Sequence, residues 1–186
     1  MDKSKLPAYV SKYAIYWCPL EVADIVGAIK SGLNLSGVSG ATTLPTNTAK
    51  SFTANFAGGG GDIDIPTNRN REAASIEIPV LSYGLEFFDL PTPGQAVMLQ
   101  LRSEVIDIQR FGIPTPDGFT FIYRGIVKEK SPGKMEGGTP SEPKLSLSIT
   151  YEEIFHMMKP IYTYDWINGV ELHNGVPIGL GTSIFV

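Results

Sequence analysis

Lys144-Leu145-Ser146-Leu147-Ser148-Ile149-Thr150-Tyr151-Glu152-Glu153-Ile154-Phe155-His156 is the stretch whose reading decides the fold. Leu145, Leu147, Ile149, Tyr151 and Phe155 alternate with Lys144, Ser146, Ser148, Thr150, Glu152 and His156, the period of two of a strand with one apolar and one wet face. Working outward, Phe119, Phe121, Tyr123 and Val127 alternate with Thr120, Arg124, Lys128 and Lys130. Val97, Leu99 and Leu101 alternate with Met98, Gln100, Arg102 and Glu104, and Ala74, Ile76, Ile78 and Val80 with Ser75 and Glu77. The strands over 119–130 and 144–156 are well beyond the usual length of about 5–6 residues. Such long amphipathic strands expose edges that aggregate in a monomer, and the hazard vanishes if identical subunits close the sheet into a barrel. The expected fold is therefore mainly β with one short α-helix: an antiparallel sandwich or barrel-like subunit whose sheets join into a continuous multi-subunit barrel.

The punctuation fits this. Pro114, Pro116 and Asp117-Gly118 predict a turn ahead of the 119–130 strand, and residues 131–143 a long hairpin loop. Residues 82–90 predict one or two helical turns with Ser82 as N-cap, Pro91 as stop, and Phe87 and Phe88 packing on the sheet as core residues. Tyr13 to Trp17 reads as a short aromatic strand broken by Pro19; residues 22–29, apolar around Gly27, read as either helix or strand. Residues 32–53 are rich in Ser, Gly, Thr and Asn, and Gly58-Gly59-Gly60-Gly61-Asp62 follows. Such a stretch cannot build its own core, so an arm at about 32–72 is expected to move or to be ordered by a neighbouring molecule. The rest reads as one domain over 1–186, with an extended C-terminal segment at about 167–186. Alternation puts Ser146, Ser148, Thr150 and Glu152 on one wet face with Gln100, Arg102 and Glu104.

Composition narrows the function. Apolar residues make 42% and charged ones 18% of the chain, with 20 Gly and 14 Pro, as in strands joined by turns. A net charge of −4 gives no general attraction for phosphate backbones or anionic lipid. The longest basic cluster, Arg124, Lys128, Lys130 and Lys134, is interrupted by Glu129 and Glu136. The single Cys18 excludes an internal disulfide and reads as a buried packing thiol. No run approaches the ~18 apolar residues of a membrane helix, so a soluble product of a reducing cytoplasm, without membrane insertion, is expected.

Chemistry finds no purchase. The four-glycine run lacks the Lys-Ser/Thr of a phosphate loop, and Asp62 and Asp64 lack the further oxygens of a calcium loop. Glu153 and His156 have the spacing of a di-iron ligand pair, but on a strand they point to opposite faces; His173 is the only other histidine. No catalytic residue, metal or cofactor is expected, and the chain reads as a non-enzymatic subunit that self-assembles through β-sheets. A sugar-binding β-domain is the other class: Tyr162, Tyr164 and Trp166 alternate along one strand and could stack on a ring, although packing is their simpler role.

The order of these features resembles a known family. An Ala57-Gly58-Gly59 element, a strand at 74–80, a helix at 82–90, Arg124-Gly125-Ile126-Val127-Lys128-Glu129 followed by Pro132-Gly133, a long strand ending Thr150-Tyr151, then Asn168-Gly169-Val170 and Asn174-Gly175-Val176 look like the major tail tube protein of contractile phage tails and R-type pyocins. The likeness spans roughly residues 44–179. It departs in the long stretches at 32–43 and 182–186, and in Pro177 where the family has an acidic residue. The resemblance implies hexameric rings stacked into a hollow tube inside a contractile sheath, bounded by baseplate and tail terminator proteins, with a tape measure protein and then DNA in the lumen. It implies a virion tail assembled in the host bacterial cytoplasm, Gln100, Arg102, Glu104, Ser146, Ser148, Thr150 and Glu152 facing the lumen, and an arm around Gly58, Gly59, Gly60, Gly61 and Asp62 reaching the adjacent ring. A tube or ring subunit of a phage-derived bacteriocin or secretion-type injection machine has the same signature.

Overall fold

The alternating stretches pair with one another as antiparallel strands. The computed structural model describes residues 9–20, 33–35, 39–55, 61–81, 85–108, 114–134, 136 and 141–178. Along the chain these form β1 (Tyr9–Pro19), β2 (Leu33–Asn34), β3 (Ala49–Asn55), β4 (Asp62–Arg71), β5 (Ser75–Pro79), α1 (Leu85–Asp89), β6 (Ala96–Ile108), β7 (Pro114–Ser131), β8 (Lys144–His156), β9 (Lys159–Asp165), β10 (Val170–His173) and β11 (Val176–Pro177). A nine-stranded sheet runs β11-β10-β9-β8-β7-β6-β1-β2, with β5 also paired to β8. The subunit is mainly β, as its alternation requires.

β8 organises the sheet because two strands share one of its edges. β5 takes its first half, Ser75 opposite Ser148 through Pro79 opposite Lys144. β9 takes its second half, Tyr151 opposite Asp165 through His156 opposite Lys159. At the changeover Ile149 N donates to Ala74 O and Trp166 N to Thr150 O, each at 2.9 Å. On the β7 side, Arg124 pairs with Tyr151 and Gly125 with Ile149, so Thr150 is an extra residue, a β-bulge.

The bulge reverses the facing of everything after it. Leu145, Leu147 and Ile149 point into the core, but beyond Thr150 it is Glu152 that lies opposite the core residue Tyr123. The expectation that Glu152 shares a wet face with Ser146 and Ser148 is thereby corrected: a one-residue slip moves each later side chain to the other side. Glu152 is only 3% exposed.

One face of β1, β5, β6, β7 and β8 supplies the core, centred on Ile15, Ile76, Ile78, Leu99, Tyr123, Leu145 and Leu147. Leu35, Ser39 and Thr43, between β2 and β3, fasten onto the two edges of this region. Leu35 N donates to Ile15 O beside β1, and Ser39 and Thr43 bridge Val80 and Glu77 beside β5. Among the described strands the sheet is held around its core without closing as a continuous ladder. Leu35 fills the interior at 2% exposure.

Two further expectations change. The turn at Pro114, Pro116, Asp117 and Gly118 is instead the start of β7, with Pro114 opposite Ile108 and Gly118 opposite Glu104. Among the described residues the β8 ladder begins at Phe119, so residues 114–117 pair with β6 alone, and prolines without an N–H are tolerated there. On α1, Phe87 is buried, whereas Phe88 is 65% exposed and is not a core residue. Consecutive helical positions lie about 100° apart, so only one enters the core. The Lys130 ammonium ends the helix by donating to Phe88 O at 3.1 Å and Leu90 O at 2.7 Å. Ser82, the expected N-cap, lies outside the described residues.

Candidate assembly surfaces

The first candidate is the arm. Among the described residues β3 and β4 pair only with each other, as a two-stranded sheet apart from the main one. Phe52 lies opposite Ile65 and Ala54 opposite Ile63, which gathers four apolar side chains on one face of the hairpin. Thr53 opposite Asp64 and Asn55 opposite Asp62 make the other face polar. Ser51 Oγ donates to Asp64 Oδ2 at 2.9 Å, and Asn55 Nδ2 to Asp62 Oδ1 at 2.7 Å. Phe52 and Ile63 each stay 54% exposed. A lone two-stranded hairpin is at best marginally stable in water. Of the expected arm residues, Gly61 is an exposed bend and Asp62 opens β4; Gly58, Gly59 and Gly60 lie outside the described residues.

The root of the arm is fastened firmly. Arg71, the last residue of β4, forms an ion pair with Glu171 on β10 at 2.8 Å, and its guanidinium lies 5.5 Å from the Tyr164 ring centroid. Trp166 Nε1 donates to Glu72 O at 3.1 Å. Asn47 Nδ2, ahead of β3, donates to Glu152 Oε2 at 2.6 Å, and the Tyr123 hydroxyl bonds the same carboxylate. Arg71 with Glu171, Glu72 with Trp166 and Asn47 with Glu152 lie 100, 94 and 105 residues apart in sequence, and no local pattern announces them. The doubled Asn-Gly supports the same end of the molecule: Asp165 Oδ1 accepts from Ile167 N and Asn168 N, and Asn174 and Gly175 take the left-handed φ values of +50° and +79° that a two-residue hairpin turn needs.

Burial raises the Glu152 pKa above the ordinary carboxylate range, and the hydrogen bonds from Asn47 and Tyr123 offset only part of that. The folded state therefore holds the Glu152 proton to higher pH than the unfolded chain does. Between the ordinary carboxylate pKa and the raised one, stability contributed at this site falls as pH rises. Glu152→Gln keeps an acceptor for Asn47 and removes the charge, so its urea midpoint should lose that component of the acid-side pH dependence. A Gln variant whose pH profile in this window matches the parent would show that Glu152 does not titrate there.

The second candidate is the sheet face opposite the core. Register places Gln100, Arg102 and Glu104 of β6 on it, together with Arg124 of β7 and Ser146, Ser148 and Tyr151 of β8. Arg102 stacks over Tyr16 at 5.4 Å and Arg124 over Tyr151 at 4.7 Å. The Tyr151 hydroxyl is pushed up to about 12 by burial and by Glu153. Glu104 is exposed and Arg102 half-buried, but Gln100 and Ser146 are covered. Cys18, also on this face, is 2% exposed with its thiol pKa raised by burial. Tyr164 is 2% exposed and meets Trp166 edge-on at 4.5 Å, so the central ring of the aromatic strand is a packing residue and Tyr162 and Trp166 are half-buried beside it. Among the described residues no three His, Cys, Asp or Glu side chains group as metal ligands, and no helix is long and apolar enough to cross a membrane.

The sequence profile of the family described as phage tail tube protein FII matches residues 28–178, which takes in every described strand except β1. The chain belongs to that family. As a member of the tail tube family it is a structural component of a virion tail. No curated protein matches the chain. Among solved structures, this tail tube family member is similar to a chain described as "Cryo-EM structure of the anti-feeding prophage (AFP) baseplate, 6-fold symmetrised", at 10% identity and a TM-score of 0.44, covering 82% of this chain and 96% of that one.

Proposed function

We propose that this chain is the repeating subunit of the inner tube of a contractile phage tail, with six copies in a ring, rings stacked along the tail, and a lumen that conducts DNA during ejection. The observation that carries this reading is the arm: a hairpin too small to stand alone, anchored at its root and offering an unpaired apolar stripe. Such a stripe is stabilised by a neighbouring subunit, and the arm ties one ring to the next. In this reading residues 1–186 are one domain with the arm and the C-terminal segment as extensions. The sheet face opposite the core lines the lumen with Arg102, Glu104 and Ser148, while Gln100 and Ser146 lie beneath their neighbours on it. Mixed charge there lacks a sustained cationic patch, so DNA slides past without counterion-releasing contacts. The sheath, baseplate, tail terminator and tape measure proteins are the remaining partners.

Electron microscopy of the purified protein tests the proposal: stacked rings support it, and monomers at high protein concentration overturn it. Phe52→Ser with Ile63→Ser should leave subunit stability within about 0.5 kcal/mol, because both side chains are already half-exposed. Long tubes should nevertheless be lost. Tubes of native length from this double variant would remove the arm from the assembly contact.

A further inference from the structure

β8 turns into β9 through Met157 and Met158, with His156 paired to Lys159. Both methionines hold left-handed backbone, at φ +47° and +65°. This is the geometry that Asn174-Gly175 gives the β10–β11 turn, but side chains other than Gly, Asn and Asp adopt it at a cost. Met157 and Met158 are also 66% and 94% exposed, so two flexible apolar side chains stand in water at a strained tip. Strain kept at an exposed position points to a contact.

Toward the opposite end of the sheet, between the end of β1, the start of β6 and the segment after α1, lies an open pocket of about 770 Å³ walled by Trp17, Leu20, Leu90, Pro91, Ala96 and Val97. The Trp17 indole N–H is buried without an acceptor among the described residues. Tip and pocket are separated along the sheet: Ala96 pairs near the pocket with Ile126, whereas Ser103 pairs with Phe119, which in turn lies opposite His156. Seven residue steps of β6 between those levels span roughly 23 Å. Charge agrees with apolarity, since exposed Lys159 adjoins the tip and exposed Asp89 adjoins the pocket.

We infer that the Met157–Met158 tip of one subunit seats in the Trp17–Leu90–Pro91 pocket of a second copy displaced along the strand direction, with Lys159 facing Asp89. Methionine suits this role because its thioether packs against aromatic rings and adapts to irregular walls. A knob and a socket at opposite ends make a heterologous contact that repeats without closing, which is the geometry of a growing stack. The inference rests on the tube reading above and adds a specific axial joint to it.

Replacing Met157 with Asn and Met158 with Gly tests it, because this pair suits the turn better than the native residues do. The double variant should fold at least as stably as the parent in urea and keep the parent's ring mass in solution, while mean tube length by electron microscopy falls about tenfold or more. Chains carrying only Met158→Cys, mixed with chains carrying only Leu20→Cys, both in a Cys18→Ala background, should form a disulfide between unlike copies. Parent tubes with variant tubes of equal length, or no mixed disulfide within parent-length tubes, overturn the joint and leave the tube reading standing. If the parent itself forms neither rings nor tubes, the tube reading falls and the joint with it.

Discussion

Gly125→Ala is expected to leave little folded protein. Gly125 sits in β7 opposite Ile149, beside the bulge at Thr150. A Cβ at this position would overlap the Ser148 carbonyl oxygen, lie 3.0 Å from its carbon and come within 3.3 Å of Ile149 Cα. All three are backbone atoms of the next strand, so no side chain can swing away to make room. Ordinary overpacking costs about 1–3 kcal/mol. Here the strands must also separate, which breaks ladder hydrogen bonds worth roughly 0.5–1.5 kcal/mol each. Since whole domains are stable by only about 5–15 kcal/mol, urea unfolding should show a loss of at least ~3 kcal/mol or no cooperative transition. A native midpoint would mean that the bulge relaxes freely and that β7 and β8 do not depend on glycine.

The second large effect distinguishes two adjacent phenylalanines. Phe87 is 3% exposed, packs among Leu90, Val97 and their core neighbours, and has the Lys130 ammonium 5.2 Å from its ring centroid. Phe87→Ala removes the transfer free energy of the ring and opens a cavity under α1, together about 3–5 kcal/mol. Phe88 touches the same ring edge-on at 5.7 Å but leaves most of its surface in water. Phe88→Ala should therefore change stability by no more than about 0.5 kcal/mol. The two variants measured side by side in urea provide the check. Equal losses would place both rings in the core, and a Phe88 effect confined to tube formation would make the exposed ring an intersubunit contact.

What the sequence by itself determined was everything with a local period. Alternation at 97–104, 119–130 and 144–156 revealed the long strands and, over each uninterrupted run, which side chains share the core face, because successive residues on a strand must face opposite ways; that Met98, Gln100 and Ser146 on the other face are buried as well it did not reveal. Its ordered motifs also pointed to the family, and the profile match over residues 28–178 agrees. Tertiary structure alone decided the rest. The alternation runs on through Thr150 without a break, yet β5 and β9 share one edge of β8, and the extra residue at their junction turns Glu152 inward toward Tyr123. Pro114 and Pro116 resemble a turn until it is known that their stretch of β7 pairs, among the described residues, with β6 alone. Arg71 with Glu171 and Asn47 with Glu152 are ion-pair and hydrogen-bond partners brought together by the fold across most of the domain. A period reports what each residue's neighbours along the chain impose; a bulge, an edge and a buried carboxylate depend on which strands lie alongside, and only the packed sheet decides that.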